Sequence, residues 1–180
     1  MKAVMISIRP KWVKKILSGE KTVEVRKTAP NIKTPFKCYI YCALSGSNEL
    51  FREILNGDVA EWNRGKWSDR KGNVVAEFVC DKISNHTPAL LIIDTDAERI
   101  LAGTCLTRNE LVDYLRGISD KLCDFYGWHI SDLKVYDKPR KITDFSVLRN
   151  IPVEYAFGTA KQRYTLERPP QSWCYVEELR

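Results

Sequence analysis

The sequence predicts an α+β fold in which a mixed sheet or small barrel is flanked by two to four helices. Three observations carry this. Short strand-like runs recur along the chain, amphipathic helical segments are interspersed among them, and the regular strand–helix alternation of a doubly wound fold is absent. The length of 180 residues fits one domain over 1–180, with an insertion loop at about 58–72 and a C-terminal extension at about 138–180. A composition of 44% hydrophobic and 29% charged residues is enough to bury a core.

The first element is a strand from Ala3 to Ile8. Pro10 then opens a helix, at a position where its missing N–H costs nothing. Val13, Ile16 and Leu17 recur at helical spacing, and Gly19 is placed as the residue just past the helix end. A strand follows over residues 22–27. After turn material around Pro30 and Pro35, residues 36–43 form a second strand rich in aromatic and apolar side chains. Ser47 caps a helix carrying Leu50, Phe51, Ile54 and Leu55 that stops at Gly57. Residues 58–72 read as a long polar loop holding Trp62 and Trp67. An apolar strand covers 73–82, and 89–93 is strand-like. Thr107 and Glu110 form a capping box ahead of the Leu111, Val112 and Leu115 stripe, which Gly117 ends. Residues 128–136 return to strand, and Ser172 to Val176 forms the last one.

The 29 Lys and Arg against 23 Asp and Glu give a net charge of +6 and a pI near 9.0. That excess is compatible with a polyanionic partner, because Lys and Arg neutralise phosphates and release counterions. It fits an ordinary solvated surface equally well. No apolar run approaches the ~20 residues that span a bilayer. The N-terminus is charged too soon for a secretory signal, so the expected location is cytoplasmic, with no membrane association. Cys38, Cys42, Cys80, Cys105, Cys123 and Cys174 are then expected to be free thiols in the core. Cys38 and Cys42 are close, but no second close pair completes a zinc site. His86 and His129 are far apart, without a spaced carboxylate partner. Neither a metal nor a cofactor is expected, and the sequence holds no glycine-rich phosphate loop or nucleophile elbow.

The stretch Gly19-Glu20-Lys21-Thr22-Val23-Glu24-Val25-Arg26 carries the most chemistry. Period two along a strand puts Thr22, Glu24 and Arg26 on one face and Val23 and Val25 on the other. Lys21 stands at the strand entrance, where it can turn either way. With the valines facing a core, Glu24 and Arg26 project together, and a carboxylate beside a guanidinium can read a planar ligand edge. The alternative is a solvated strand face with a surface ion pair worth at most about 1 kcal/mol.

Gly19-x-Lys21-x-x-Glu24-x-Arg26 resembles the Gly-x-Lys-x-x-Glu-x-Arg signature of ASCH domains, which are similar to PUA RNA-binding domains. The setting is similar too, with a strand ending in Ser7-Ile8-Arg9-Pro10 and a helix before the motif. The segments His129 to Tyr136 and Gln171 to Tyr175 look like parts of longer bacterial and phage members. The resemblance implies a PUA-like barrel whose Lys21, Glu24 and Arg26 line a cleft beside a helix, suited to RNA or a nucleotide-like ligand. Some relatives of this fold resemble amidohydrolases acting on N4-acetylcytidine through a Lys–Thr–Glu set, with the threonine three residues after the lysine. Here that position is Glu24, and Thr22 is out of place, so the hydroxyl is missing.

Glu77 interrupts a run apolar on both faces, Val74 to Cys80, so its carboxylate should be partly buried and either paired or protonated. It is a candidate general acid or base, or a structural ion-pair partner of Arg26 or Lys21. An enzyme acting on an acylated nucleobase or on RNA would draw on Lys21, Glu24 and Glu77. Aromatic and basic residues also interleave. Arg9 with Trp12, Trp128 beside His129, and Trp173 near Arg168 could stack bases while a cation meets phosphate, or simply pack. Trp62 and Trp67 lie in a cationic loop and call for cover or contact. His129 reads as a hydrogen-bonded structural histidine and His86 as a loop residue.

Overall fold

The computed structural model of the chain describes residues 1–44, 72–116, 121–152 and 159–179. The expected helix from Ser47, the loop with Trp62 and Trp67, and Gly117 lie outside the described residues. The elements in chain order are β1 (Lys2–Ile8), α1 (Pro10–Leu17), β2 (Val23–Arg26), β3 (Phe36–Cys42), β4 (Val74–Cys80) and β5 (Ile83–His86). A 3-10 turn (Pro88–Ile92), α2 (Asp94–Leu101), α3 (Arg108–Leu115), β6 (Phe125–His129) and β7 (Ser131–Arg140) follow. Then come a second 3-10 turn (Ile142–Asp144), β8 (Ser146–Pro152), β9 (Thr159–Thr165) and β10 (Trp173–Glu177). The fold is α+β. Among the described residues the strands fall into sheets of five, three and two strands and do not trace one closed barrel.

The chain forms two compact units, each assembled from separate segments. The first comprises Met1–Val13, Lys37–Glu77 and Lys134–Arg180. In it β1 is paired in parallel with β3 on one side and antiparallel with β10 on the other. A strand with neighbours on both sides and cover on both faces is apolar throughout, and Ala3, Val4, Met5 and Ile6 are fully buried. Tyr39 packs edge-on to Phe145 at 4.8 Å and its hydroxyl accepts from the Leu179 backbone. The Ser7 hydroxyl donates to the Pro170 carbonyl at 2.6 Å, tying the C-terminal stretch to β1. That stretch also supplies a hairpin, β8 with β9, whose Val147 and Tyr164 join the core with Phe145 and Leu166.

The second unit comprises Lys14–Phe36 and Phe78–Leu133. Its sheet runs β2-β6-β5, all antiparallel. Val25 and Phe125 from this sheet meet Ala97 and Ile100 of α2, Leu111 and Leu115 of α3, and Leu91. The Thr107 capping box is formed on both sides, satisfying two N-terminal N–H groups of α3. Gly19 adopts φ +80, and its N–H donates to Ile16 where α1 ends. The Lys21 N–H reaches back to the Lys15 carbonyl at 2.9 Å, which fixes the start of the motif strand.

Three expectations are corrected. Residues 89–93 are not a strand: Pro88 supplies the preset φ of a helical first position and the run coils into a 3-10 turn. His86 is not in a loop but in β5, paired with Phe125. Residues 128–136 fall in two strands, separated at Ile130, with Asp132 at φ +45 near the start of β7.

Gly103, between α2 and α3, sits at φ +73 and its carbonyl accepts from Thr22 at 2.8 Å and Val23 at 3.0 Å. A Cβ there would collide with the Thr22 hydroxyl. Gly103→Ala is therefore expected to cost at least about 1–3 kcal/mol in chemical denaturation. An unchanged midpoint would show that this loop does not anchor β2.

Candidate functional site

Antiparallel partners share a face, so the register of β2 with β6 assembles one side of the second unit's sheet. Glu24 lies opposite Trp128, and Arg26 opposite Tyr126. Ile83 and Asn85 of β5 face the same way, by pairing with Trp128 and Tyr126. The other side carries Val23, Val25, Gly127, Ser84 and His86.

Lys21, Glu24 and Arg26 converge. The Lys21 ammonium lies 3.4 Å from one Glu24 carboxylate oxygen, and an Arg26 terminal nitrogen lies 3.0 Å from the other. Lys21 also donates to the Thr104 carbonyl at 2.6 Å. Their side chains are 2%, 8% and 10% exposed respectively, so the solvated-face alternative does not apply. One carboxylate lies between two cations in a desolvated setting, where electrostatic interactions are much stronger than in water. Thr22, just before β2, shares their strand face by period but is exposed.

Sequence reasoning missed two tyrosines here. Tyr114 of α3 is 40% exposed, and its hydroxyl is pushed up by burial, with Arg26 opposing and Glu24 reinforcing the shift. The Lys27 ammonium stands 5.3 Å from its ring centre. Tyr126 is half-buried opposite Arg26. Tyr114 stands three residues after Leu111, beside the apolar stripe of its helix, where in sequence it reads as ordinary packing.

The remaining candidates are placed differently. Trp128 is entirely buried and meets Phe36 edge-on at 6.0 Å, so it offers no open face to a base. Glu77 belongs to the first unit. There it accepts from the Tyr136 hydroxyl at 2.6 Å and pairs with Lys37 at 3.5 Å, so its ionic partner is neither Lys21 nor Arg26. Lys37 also pairs with Glu178 at 3.3 Å. Burial and the Glu77 carboxylate push the Tyr136 hydroxyl far up. Arg9, Trp12 and Trp173 are in the first unit as well. Arg9 is exposed, Trp12 is half-buried with Lys11 4.7 Å from its ring, and Trp173 packs edge-on to Tyr175 at 5.4 Å. His129 is hydrogen-bonded to Asp81 at 2.7 Å. The six cysteines are free, with Cys38, Cys42 and Cys80 buried and the others half-buried. Burial pushes the Cys80 thiol up to about 12, which leaves it unreactive.

The architecture defines the class as an α+β protein with an ASCH-like fold. The particular likeness is to the crystal structure of ASCH from Zymomonas mobilis, with a TM-score of 0.53 and 18% identity over 98% of this chain and 88% of that one. Two mutant structures of the same protein match with TM-scores of 0.53 and 17% identity. They cover 98% and 99% of this chain and 89% and 92% of theirs. At this identity the likeness is one of fold. No family model and no curated protein matches the sequence. Among the described residues no helix is long and apolar enough to cross a membrane.

Proposed function

We propose that the protein binds RNA or a nucleotide-like ligand at the Lys21–Glu24–Arg26 face of its second unit. The observation that carries this is the converged triad itself: one carboxylate that orients two cations in a setting nearly sealed from water. Phosphate or a base edge is the ligand chemistry such a site attracts. Tyr126 and Tyr114 supply the aromatic faces for a base, at ~1–3 kcal/mol per stacked ring, and Lys27 adds a half-buried cation at the rim. The ASCH-like fold supports the reading.

The test is fluorescence anisotropy with single-stranded RNA and with mononucleotides. Arg26→Lys keeps the charge inside the unit but removes the planar fork, and should weaken binding about tenfold, roughly 1.4 kcal/mol. Wild-type affinity should fall as salt rises. Equal affinity in wild type and Arg26→Lys at every salt concentration would refute the assignment.

A further inference from the structure

The opposite face of the same three-stranded sheet carries a second constellation that the triad does not use. A cavity of about 280 Å³ opens there. Its polar lining is Ser84, His86, Thr104, Lys82 and Arg99, and its apolar lining includes Val25, Ile100 and Phe125. Ser84 and His86 are two residues apart on β5, so period two directs both side chains to this face. Their side chains meet, with His86 Nε2 2.8 Å from the Ser84 hydroxyl oxygen.

The surroundings hold this pair in place. The His86 ring lies against Phe125, centroids 5.2 Å apart and planes tilted by 31°. The Ser84 hydroxyl has a second, longer contact to the Gly127 carbonyl at 3.4 Å. Gly127 faces Ser84 across the β5–β6 pairing, and a Cβ there would lie 2.8 Å from the Ser84 hydroxyl and 3.2 Å from Val23. Glycine thus leaves the space the serine occupies. Burial and the Arg99 charge push His86 below its ordinary value, which keeps its ring neutral near pH 7 and able to accept a proton. Lys82 is exposed at the rim, and the Arg99 guanidinium pairs with Asp96 at 2.9 Å. The cavity therefore has an apolar floor, a cationic rim and a hydroxyl within hydrogen-bond reach of a base.

We propose that this cavity is a separate site in which Ser84 is the nucleophile and His86 its base, acting on a small ester that carries a negative charge. The Ser84 oxygen forms a bond to the ester carbonyl carbon and its proton passes to His86 Nε2. The carbon–alkoxide bond then breaks and the leaving oxygen takes that proton. Water next attacks the acyl–Ser84 ester through the same base, releasing a carboxylic acid and restoring the serine. Lys82 and Arg99 set the preference for a negative charge, and a cavity of about 280 Å³ suits a small ester. None of this depends on the triad face.

The experiment treats the whole protein with a fluorophosphonate probe and locates the adduct by peptide mass spectrometry. In parallel, hydrolysis of 4-nitrophenyl succinate is compared with that of 4-nitrophenyl acetate. Ser84 should be labelled, Ser84→Ala should not, and His86→Gln should label at least about tenfold more slowly. The succinate ester should turn over faster than the acetate, and Arg99→Gln should reduce that preference. Ser84 left unmodified in folded wild-type protein, His86→Gln labelling at the wild-type rate, or Ser84→Ala hydrolysing the esters as wild type does would each overturn the assignment.

Discussion

Glu24→Ala is expected to lower stability by about 3–5 kcal/mol, the cost of leaving a buried ion pair without one partner. The reason is specific to its place between two cations. With Glu24 gone, Lys21 and Arg26, both nearly sealed from water, lose the carboxylate that lies between them. The Lys21 bond to the Thr104 carbonyl survives but carries no charge to offset the ammonium. Melting should drop by on the order of 10 °C for a chain of this size. Glu24→Gln keeps the shape and one acceptor oxygen, and should fall between wild type and alanine. A melting temperature for Glu24→Ala within a degree of wild type would mean that the three side chains separate in solution.

Trp128→Ala is expected to cost a comparable amount, about 3–5 kcal/mol, because it empties the largest fully buried side chain among the described residues. Trp128 stands directly across from Glu24 in the β2–β6 register. Its removal would take away apolar cover from the triad as well as the edge contact with Phe36. Trp128→Phe retains a ring in the same place and should recover part of the loss. Paired denaturation curves for the two variants check this. Normal stability in Trp128→Ala with abolished ligand binding would instead give the indole the stacking role that its burial argues against.

Much of the architecture was legible because its signals are local. The apolar run of β1, Pro10 and Gly19 bracketing α1, and the Thr107–Glu110 capping box are each fixed by chemistry within a few residues. What escaped were elements lacking such marks. The helix α2 begins after Ile93, whose side chain caps nothing, and only the acidic Asp94 and Asp96 of its first turn mark its start. The strand β5 reads Ile-Ser-Asn-His, a polar run of low strand propensity held in place by pairing with β6. The hairpin β8–β9 is largely exposed and lacks the apolar alternation that would announce it.

The candidate site was legible in identity but not in environment. Period two correctly set Glu24 and Arg26 on one face of β2, with Val25 in the core behind them. That Lys21 turns inward depends on Thr104, more than eighty positions away, and no spacing rule reaches that far. The same limit explains the tryptophans. An aromatic beside a histidine looks alike whether it faces a ligand or, like Trp128, a core. The Ser84–His86 pair was overlooked because its two members sit in the unmarked strand β5.

The face that Lys21, Glu24 and Arg26 share can be tested most directly by magnetic resonance. Isotope-labelled protein would be titrated with a short single-stranded oligoribonucleotide while the Arg26 guanidinium and the Tyr114 and Tyr126 amides are followed. All three signals should move together and saturate at one concentration, with the midpoint shifting upward as salt is added. Saturable binding that displaces other resonances and leaves Arg26, Tyr114 and Tyr126 unmoved would contradict the account.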